Sequence, residues 1–75
     1  MKLSDLTQNQ EAIIKNIECS DDLKQRLYSF GIIKGTPIIV EKVSLAKNTM
    51  EINVEDTYVG IRVDEAKQIE VEPIS

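Results

Sequence analysis

The sequence predicts a mainly β fold, a small antiparallel barrel of about five short strands with one inserted α-helix and a short C-terminal helical turn. Turn-forming residues are spread evenly along the chain, which is typical of a small barrel. The chain is 41% hydrophobic but only 4% aromatic, so the core must consist mainly of Ile, Val and Leu, and branched aliphatic residues favour strands. Because 75 residues cannot support two cores, we expect a single domain over residues 1–75.

The first predicted strand follows a tight turn over residues 7–10, in which Asn9 can adopt the left-handed conformation. Within this strand Ala12, Ile14 and Ile17 are expected to face inward. Since these positions are not evenly spaced, we expect a β-bulge near Asn16.

A helix is predicted from about residue 21 to residue 30. Ser20 can cap it by accepting a hydrogen bond from a free backbone N–H, and acidic residues follow where the helix dipole favours negative charge. Leu23, Leu27 and Phe30 lie at i, i+4 and i+7. They therefore share one face of the helix, which we expect to be buried.

The predicted helix ends at Gly31, which is placed to adopt a left-handed C-cap. The Schellman arrangement of such a cap requires an apolar contact between the residue after the glycine and the residue four positions before it. These two residues are Ile32 and Leu27. Gly35 then begins a turn, and Pro37 stands at the start of the next strand, where it costs no important ladder bond.

The second half of the chain predicts the remaining strands, because apolar and polar residues alternate there with a period of two. Gly60 lies within one of them, where we expect a neighbouring backbone to approach closely. Asp64 is expected to cap a single helical turn, and Pro73 is expected to end a last strand around Val71. The predicted strands cover residues 38–43, 50–54 and 59–63, joined by turns at 46–49 and 55–57, and the helical turn covers 65–69. This order of elements is close to the SH3-like type of barrel.

Composition argues against several classes of partner. The formal charge of −4 and the pI of about 4.7 give a field that repels nucleic acid and anionic lipids, so nucleic acid is disfavoured. No stretch of the sequence has the length or apolarity of a signal peptide or a membrane span, and we expect a cytoplasmic protein without direct membrane insertion. Cys19 is the single cysteine, which excludes an intrachain disulfide and fits a reducing compartment.

The residues required for catalysis or metal binding are largely missing. Without histidine the chain has no Cys-His pair and no Ser-His triad. Asp21 and Asp22 point about 100° apart on a helix and do not converge on one atom. Glu55 and Asp56 are interpreted as a solvated turn. We therefore expect no enzyme, no catalytic residue, no cofactor and no metal site.

Tyr28 and the two arginines, Arg26 and Arg62, are the side chains that we consider first for contact with a partner. A helical wheel places Tyr28 about 130° from the mean direction of the apolar stripe, so it is expected to be at least partly exposed, and aromatic residues are enriched at interface hot spots. Coverage by the barrel rim is the alternative. Arg26 and Arg62 could act as arginine fingers on a GTPase, but each is more simply a surface residue with a solvated head.

The segment from residue 23 to residue 40 resembles the signature of the FeoA family, ferrous iron transport protein A. That family shows a Leu-x-x-Arg/Lys-Leu helix, a Met-Gly-Leu or similar cap, and then x-x-Gly-Thr-x-Val. The resemblance extends to residues 3–6 and 61–69 and so covers almost the whole chain. The matching residues of the signature are Leu23, Arg26, Leu27, Phe30, Gly31, Ile32, Gly35, Thr36 and Ile38.

The resemblance implies an SH3-like barrel that serves as a cytosolic accessory to FeoB, a large membrane transporter with a cytosolic GTPase portion. It also implies similarity to the C-terminal SH3-like domain of diphtheria-toxin-repressor-type regulators, whose helix-turn-helix this chain lacks. A weak metal-sensing module and a nucleic-acid-binding module are the alternatives, and weak homo-oligomerisation is left open. The residues expected to contact the transporter are Lys24, Tyr28 and Lys34, supported structurally by Leu23, Leu27, Phe30, Gly31 and Gly35.

Overall fold

The computed structural model describes residues 1–74, which form one five-stranded antiparallel sheet with the strand order β4-β3-β2-β1-β5. One α-helix lies between the first two strands, and a single helical turn joins the last two. The predicted fold class, mainly β with one inserted helix and a C-terminal helical turn, is confirmed. The elements are a 3-10 helix (Leu3–Asp5), β1 (Glu11–Ile17), α1 (Asp21–Ser29), β2 (Pro37–Ser44), β3 (Thr49–Val54), β4 (Thr57–Arg62), α2 (Val63–Ala66) and β5 (Ile69–Ile74).

A single hydrophobic core lies on one face of the curved sheet. Burial alternates along the strands, as a period of two requires, so that Met50, Ile52 and Val54 of β3 are buried while Glu51 is exposed. The short 3-10 helix and α1 add side chains from outside the sheet. The fully buried large side chains are Leu3, Ile14, Leu27, Ile32, Val40, Met50, Ile52, Val54 and Ile69.

The predicted bulge in β1 is confirmed. The pairing of β1 with β5 shifts register between Ile14 and Asn16, which turns both Ile14 and Ile17 toward the core although they lie three positions apart. A second bulge, which the sequence did not predict, shifts the pairing of β2 with β3 between Val40 and Lys42.

The turns use left-handed residues where the sequence offers them. Asn9 has a φ of 72°, as predicted, and Asn48 ends the β2–β3 hairpin turn with a φ of 55°. The turn between β3 and β4 consists of Glu55 and Asp56, with φ values of 51° and 67°. Two successive left-handed residues are the geometry that a two-residue hairpin turn requires, so this turn fixes the register of β4 against β3.

Two predictions about the C-terminal part were wrong. The last helical turn begins at Val63, before Asp64, because the Glu65 carboxylate reaches back to accept the backbone N–H of Arg62 at 2.9 Å. Pro73 does not end the last strand but pairs with Ala12 inside it. β5 is an edge strand, in which alternate backbone N–H groups point away from the sheet and form no ladder hydrogen bond. A proline at such a position therefore loses no hydrogen bond.

Gly60 also differs from its prediction. A Cβ placed on Gly60 would meet no heavy atom within 4 Å, so no neighbouring backbone approaches it. The glycine lies on the outer face of β4 and is exposed. Its position in an edge strand, next to open space, explains why no close approach is seen.

Glu70 anchors the start of the chain to β5. Its Oε1 lies 2.7 Å from the amino group of Met1, and its Oε2 lies 3.2 Å from the Lys2 ammonium. The hydrogen bond from the amino group, followed by the one from Lys2, holds the pKa of the Glu70 carboxyl below its usual value of 4.5. The charged form of Glu70 is therefore favoured in the folded state.

The Glu70→Gln variant is expected to be less stable than the parent protein near neutral pH, with the difference vanishing in acid. A carboxyl whose folded pKa is lowered stabilises the fold above its unfolded pKa, and that stabilisation is lost as the pH falls through the folded value. Urea unfolding of both proteins over a pH series measures the effect. A matched Glu11→Gln variant reports the removal of a surface carboxylate elsewhere. A stability difference that grew toward acid would contradict the prediction.

Among residues 1–74, no helix has both the length and the apolar character needed to cross a bilayer.

Candidate partner-binding surface

α1 begins where the sequence predicts. The Ser20 hydroxyl accepts the backbone N–H of Leu23 at 3.4 Å, and the Ser20 carbonyl accepts the N–H of Lys24 at 2.9 Å. Asp21 and Asp22 occupy the first turn, where the positive end of the helix dipole stabilises a carboxylate. The two aspartates are therefore explained by the helix start.

α1 ends in the predicted Schellman motif. The N–H of Ile32 donates to the Leu27 carbonyl at 3.0 Å, and the N–H of Gly31 donates to the Tyr28 carbonyl at 3.0 Å. Gly31 has a φ of 86°, which glycine adopts without steric cost. Leu27 and Ile32 are both fully buried. The cap thus fixes the direction in which the chain leaves the helix.

The predicted burial of Phe30 was wrong, because its side chain is 41% exposed. The helix stops at Ser29, and Phe30 is its C-cap residue. The chain then reverses at Gly31 and returns Ile32 to the core beside Leu27. Ile32 is the fully buried partner of Leu27, so Phe30 supports the core less than its spacing predicts.

Exposed apolar side chains cluster in sequence around the end of α1. Tyr28, Phe30 and Ile33 fall within six positions, and each is between 41% and 48% exposed. Together with Lys34 we call them the α1-end surface. The sequence identified Tyr28 but missed Phe30 and Ile33 as surface residues. Ile33 lies in the tight turns that follow the cap, where its N–H donates to the Gly31 carbonyl at 3.1 Å and its carbonyl accepts the N–H of Thr36 at 3.1 Å, and the sequence carries no periodic signal for its exposure.

The predicted contact residues lie on both sides of the cap. Lys24 is half-buried and stands one helical turn before Tyr28, on the same face of α1. Lys34 is exposed and follows the cap. The structure therefore brings Lys24 and Tyr28 together on the helix, while Lys34 extends the surface beyond the helix end.

The segment after the cap is fixed to β1 by backbone hydrogen bonds. Gly35, with a φ of 92°, donates its N–H to the Ile14 carbonyl at 2.7 Å, and the N–H of Ile14 donates to the Thr36 carbonyl at 2.9 Å. Leu23 packs half-buried against the core at the other end of the helix.

A further link was not predicted. The guanidinium of Arg26 forms an ion pair with Oε2 of Glu65, while Oε1 of Glu65 accepts the Arg62 N–H. The Glu65 side chain is mostly buried. Arg26 is an exposed surface residue, as expected, and it also joins α1 to the start of α2. Because the two residues are far apart in sequence, no local pattern could have indicated the contact.

The described part of the chain contains no group of three or more His, Cys, Asp or Glu side chains arranged to hold a metal ion. Cys19 is half-buried beside the core. The α1-end surface itself consists of apolar side chains and the Lys34 ammonium.

The sequence model of the FeoA domain matches residues 1–73. The chain belongs to the FeoA family. A putative Fe(2+) transport protein A of Campylobacter jejuni is 41% identical over 71 residues, which are 95% of this chain and 96% of that protein. A fusion protein of Porphyromonas gingivalis that joins Fe(2+) transport protein A to the Fe(2+) transporter FeoB is 29% identical over 100% of this chain, which spans 9% of the fusion.

Solved structures share the fold. The solution structure of the FeoA protein from Chlorobium tepidum superimposes with a TM-score of 0.94 at 24% identity, covering 100% of this chain and 71% of that one. The metal-dependent transcriptional regulator MtsR superimposes with a TM-score of 0.87 at 22% identity, covering 99% of this chain and 36% of the regulator. Both the FeoA resemblance and the similarity to part of a metal-dependent regulator are thus confirmed at the level of the fold.

Proposed function

We propose that this FeoA-family domain is a cytoplasmic accessory protein of ferrous iron transport, which binds the cytosolic GTPase-containing part of a FeoB-type transporter and modulates its activity or assembly. The supporting observation is the Porphyromonas gingivalis fusion, in which a segment similar to this whole chain is joined to FeoB. Joining two modules in one polypeptide raises their effective concentration. A domain that is not fused to the transporter needs a surface that supplies this association by affinity.

The α1-end surface is the proposed contact. Half-exposed aromatic side chains such as Tyr28 and Phe30 bury a large apolar area at a small entropic cost and are enriched among interface hot spots. Lys24 and Lys34 place positive charge beside them on a chain that is otherwise acidic, so they favour an acidic partner surface by charge complementarity. The rigid cap at Gly31 holds this surface in one conformation before binding. The proposed role is non-enzymatic.

An NMR titration tests the proposal. The ¹⁵N-labelled chain is mixed with the cytosolic portion of the cognate FeoB-type transporter, with and without guanine nucleotide. We expect chemical-shift changes concentrated on residues 24–36. The absence of shifts in every nucleotide state would contradict the proposed binding, and shifts confined to another face would move the contact away from α1.

The Tyr28→Ala variant is expected to weaken transporter binding by about tenfold or more, the effect of truncating a hot-spot aromatic residue. Its free energy of unfolding should change little, because Tyr28 is not part of the buried core. Titration calorimetry measures the affinity, and urea unfolding measures the stability. Leu45→Ala is the control, since Leu45 is also an exposed apolar side chain but lies in the β2–β3 turn, outside both α1 and β4. Equal affinities of the folded Tyr28→Ala protein and the parent would remove Tyr28 from the contact.

A further inference from the structure

The two edges of the sheet differ. At the β5 edge, the N–H of Val71 donates to the Met1 carbonyl at 2.8 Å, and Lys2 bridges to Glu70. Pro73 lies in the same strand. The start of the chain therefore covers the β5 edge, and a proline protects it further, which are two of the usual devices against edge pairing. β4 forms the opposite edge.

The register shows which backbone groups of β4 face outward. The N–H of Val63 donates to the Asn48 carbonyl at 2.9 Å, directly beyond the pair formed by Thr49 and Arg62. In an antiparallel ladder, hydrogen-bonded pairs alternate with non-hydrogen-bonded pairs. Counting back by twos from Val63, the residues bonded to β3 are 57, 59 and 61. The N–H and C=O groups of Tyr58 and Gly60 therefore point away from the sheet.

These outward groups have no partner within the domain. Across residues 1–74, no hydrogen bond from a side chain or from backbone outside the ladder reaches Tyr58 or Gly60. The next outward N–H, that of Arg62, is already taken by Glu65. Tyr58 is 65% exposed, and the space beside Gly60 is open. The free part of the β4 edge is thus short, and none of the devices that protect β5 covers it.

We propose that the free β4 edge binds the same edge of a second copy of this chain, antiparallel, about a twofold axis at Val59. In this symmetric register, the outward N–H and C=O groups of Tyr58 form hydrogen bonds with those of Gly60 in the second copy. Tyr58 then lies directly opposite Gly60 of the second copy. Asp56, in the turn that precedes β4, lies beside Arg62 of the second copy. Both pairs occur twice because of the symmetry.

The side chains of this register are complementary. A tyrosine opposite a glycine fills the space that the missing side chain leaves, a pairing that stabilises strands with glycine. Asp56 is the second residue of the turn before β4, so it lies at the end of the paired strands, beside Arg62 of the second copy. Both side chains are exposed, and their opposite charges favour this contact. The strand is short, so the interface is far smaller than that of a stable dimer. We expect a weak dimer, with a dissociation constant of about 0.01–1 mM.

Amide hydrogen exchange of the unmodified chain tests the register directly. The amides of residues 57, 59 and 61 should be protected at every protein concentration, because they bond to β3. The amides of Tyr58 and Gly60 should exchange freely in dilute solution and become protected about twofold to tenfold at millimolar concentration, the range that the expected dissociation constant allows. If Tyr58 and Gly60 stay unprotected at high concentration, the proposed pairing is overturned without any variant being needed.

Charge reversal tests the proposed twofold symmetry. Asp56→Lys places a lysine opposite Arg62 of the second copy, and Arg62→Asp places an aspartate opposite Asp56. Each variant alone should weaken self-association about tenfold or more, measured by sedimentation equilibrium. An equimolar mixture of the two should associate again, because both charge pairs are then opposite in sign. Glu72→Lys, the same change of charge on β5, is the control and should leave self-association unchanged.

Three further results would overturn the proposal. The parent chain would sediment as a monomer up to millimolar concentration, or the mixed variants would fail to associate while remaining folded. The third result would be that the amides of Tyr58 and Gly60 become protected from exchange only after the cytosolic portion of the transporter is added. That last result would assign the edge to the transporter and would leave the proposed iron-transport role intact, so the two proposals fail separately.

Discussion

Replacing Leu27 with alanine is expected to lower the free energy of unfolding by about 2–5 kcal/mol. Leu27 is fully buried, and its carbonyl accepts the N–H groups of both Phe30 and Ile32 at the helix end. The truncation removes apolar contacts and leaves a cavity beneath α1. A chain of this size has a total stability of only about 4–11 kcal/mol, so the substitution should remove a large fraction of the free energy of unfolding.

Urea unfolding monitored by circular dichroism measures the loss. Leu45→Ala is the matched control, because it makes the same chemical change at a side chain that is 88% exposed in the β2–β3 turn. That variant should differ from the parent by less than about 0.5 kcal/mol. A Leu27→Ala protein as stable as Leu45→Ala would show that α1 contributes little to the core.

Replacing Gly31 with valine is expected to cost about 2–3 kcal/mol of stability. Gly31 has a φ of 86°, a region in which a β-branched residue is a genuine outlier. Space is not the obstacle, since the nearest atom to an added Cβ is Cγ1 of Val54 at 3.6 Å, an ordinary contact. The cost therefore comes from the backbone. The same change should also disturb the amide resonances of Phe30 and Ile33, whose positions depend on the cap.

Gly60→Val provides the comparison for this variant. Gly60 lies in β4 with open space around it and has no positive φ, and valine favours strands. Measured in dilute solution, where copies do not associate, Gly60→Val should be as stable as the parent or more stable. Equal losses at Gly31 and Gly60 would contradict the assignment of the cost to left-handed geometry.

Sequence periodicity predicted the fold because its signals are local. The strict alternation in β3 and the uneven spacing of Ala12, Ile14 and Ile17 in β1 both reflect which side of a strand faces the core. The cap at Gly31 was equally local, since it depends on one backbone conformation. Pro73 was misread because its effect depends on whether the strand lies at an edge, which no short stretch of sequence reveals.

The candidate surface was only partly predictable. Tyr28 followed from the helical wheel, but the exposure of Phe30 depends on where the helix stops and on the return of Ile32 to the core. The ion pair between Arg26 and Glu65 joins residues separated by 39 positions. Such long-range contacts form only when the whole sheet has folded, so a local sequence pattern cannot indicate them.

The covering of β5 by the start of the chain sets the size of any assembly built by strand addition. Within residues 1–74 one edge of the sheet is covered and the opposite edge is free. The proposed dimer uses the free β4 edge of both copies and leaves no uncovered edge in the described part of the chain for a third copy. Growth is therefore self-limiting. A chain deprived of Met1 and Lys2, with Pro73 also replaced, would expose two edges, and its copies could then add indefinitely into a filament.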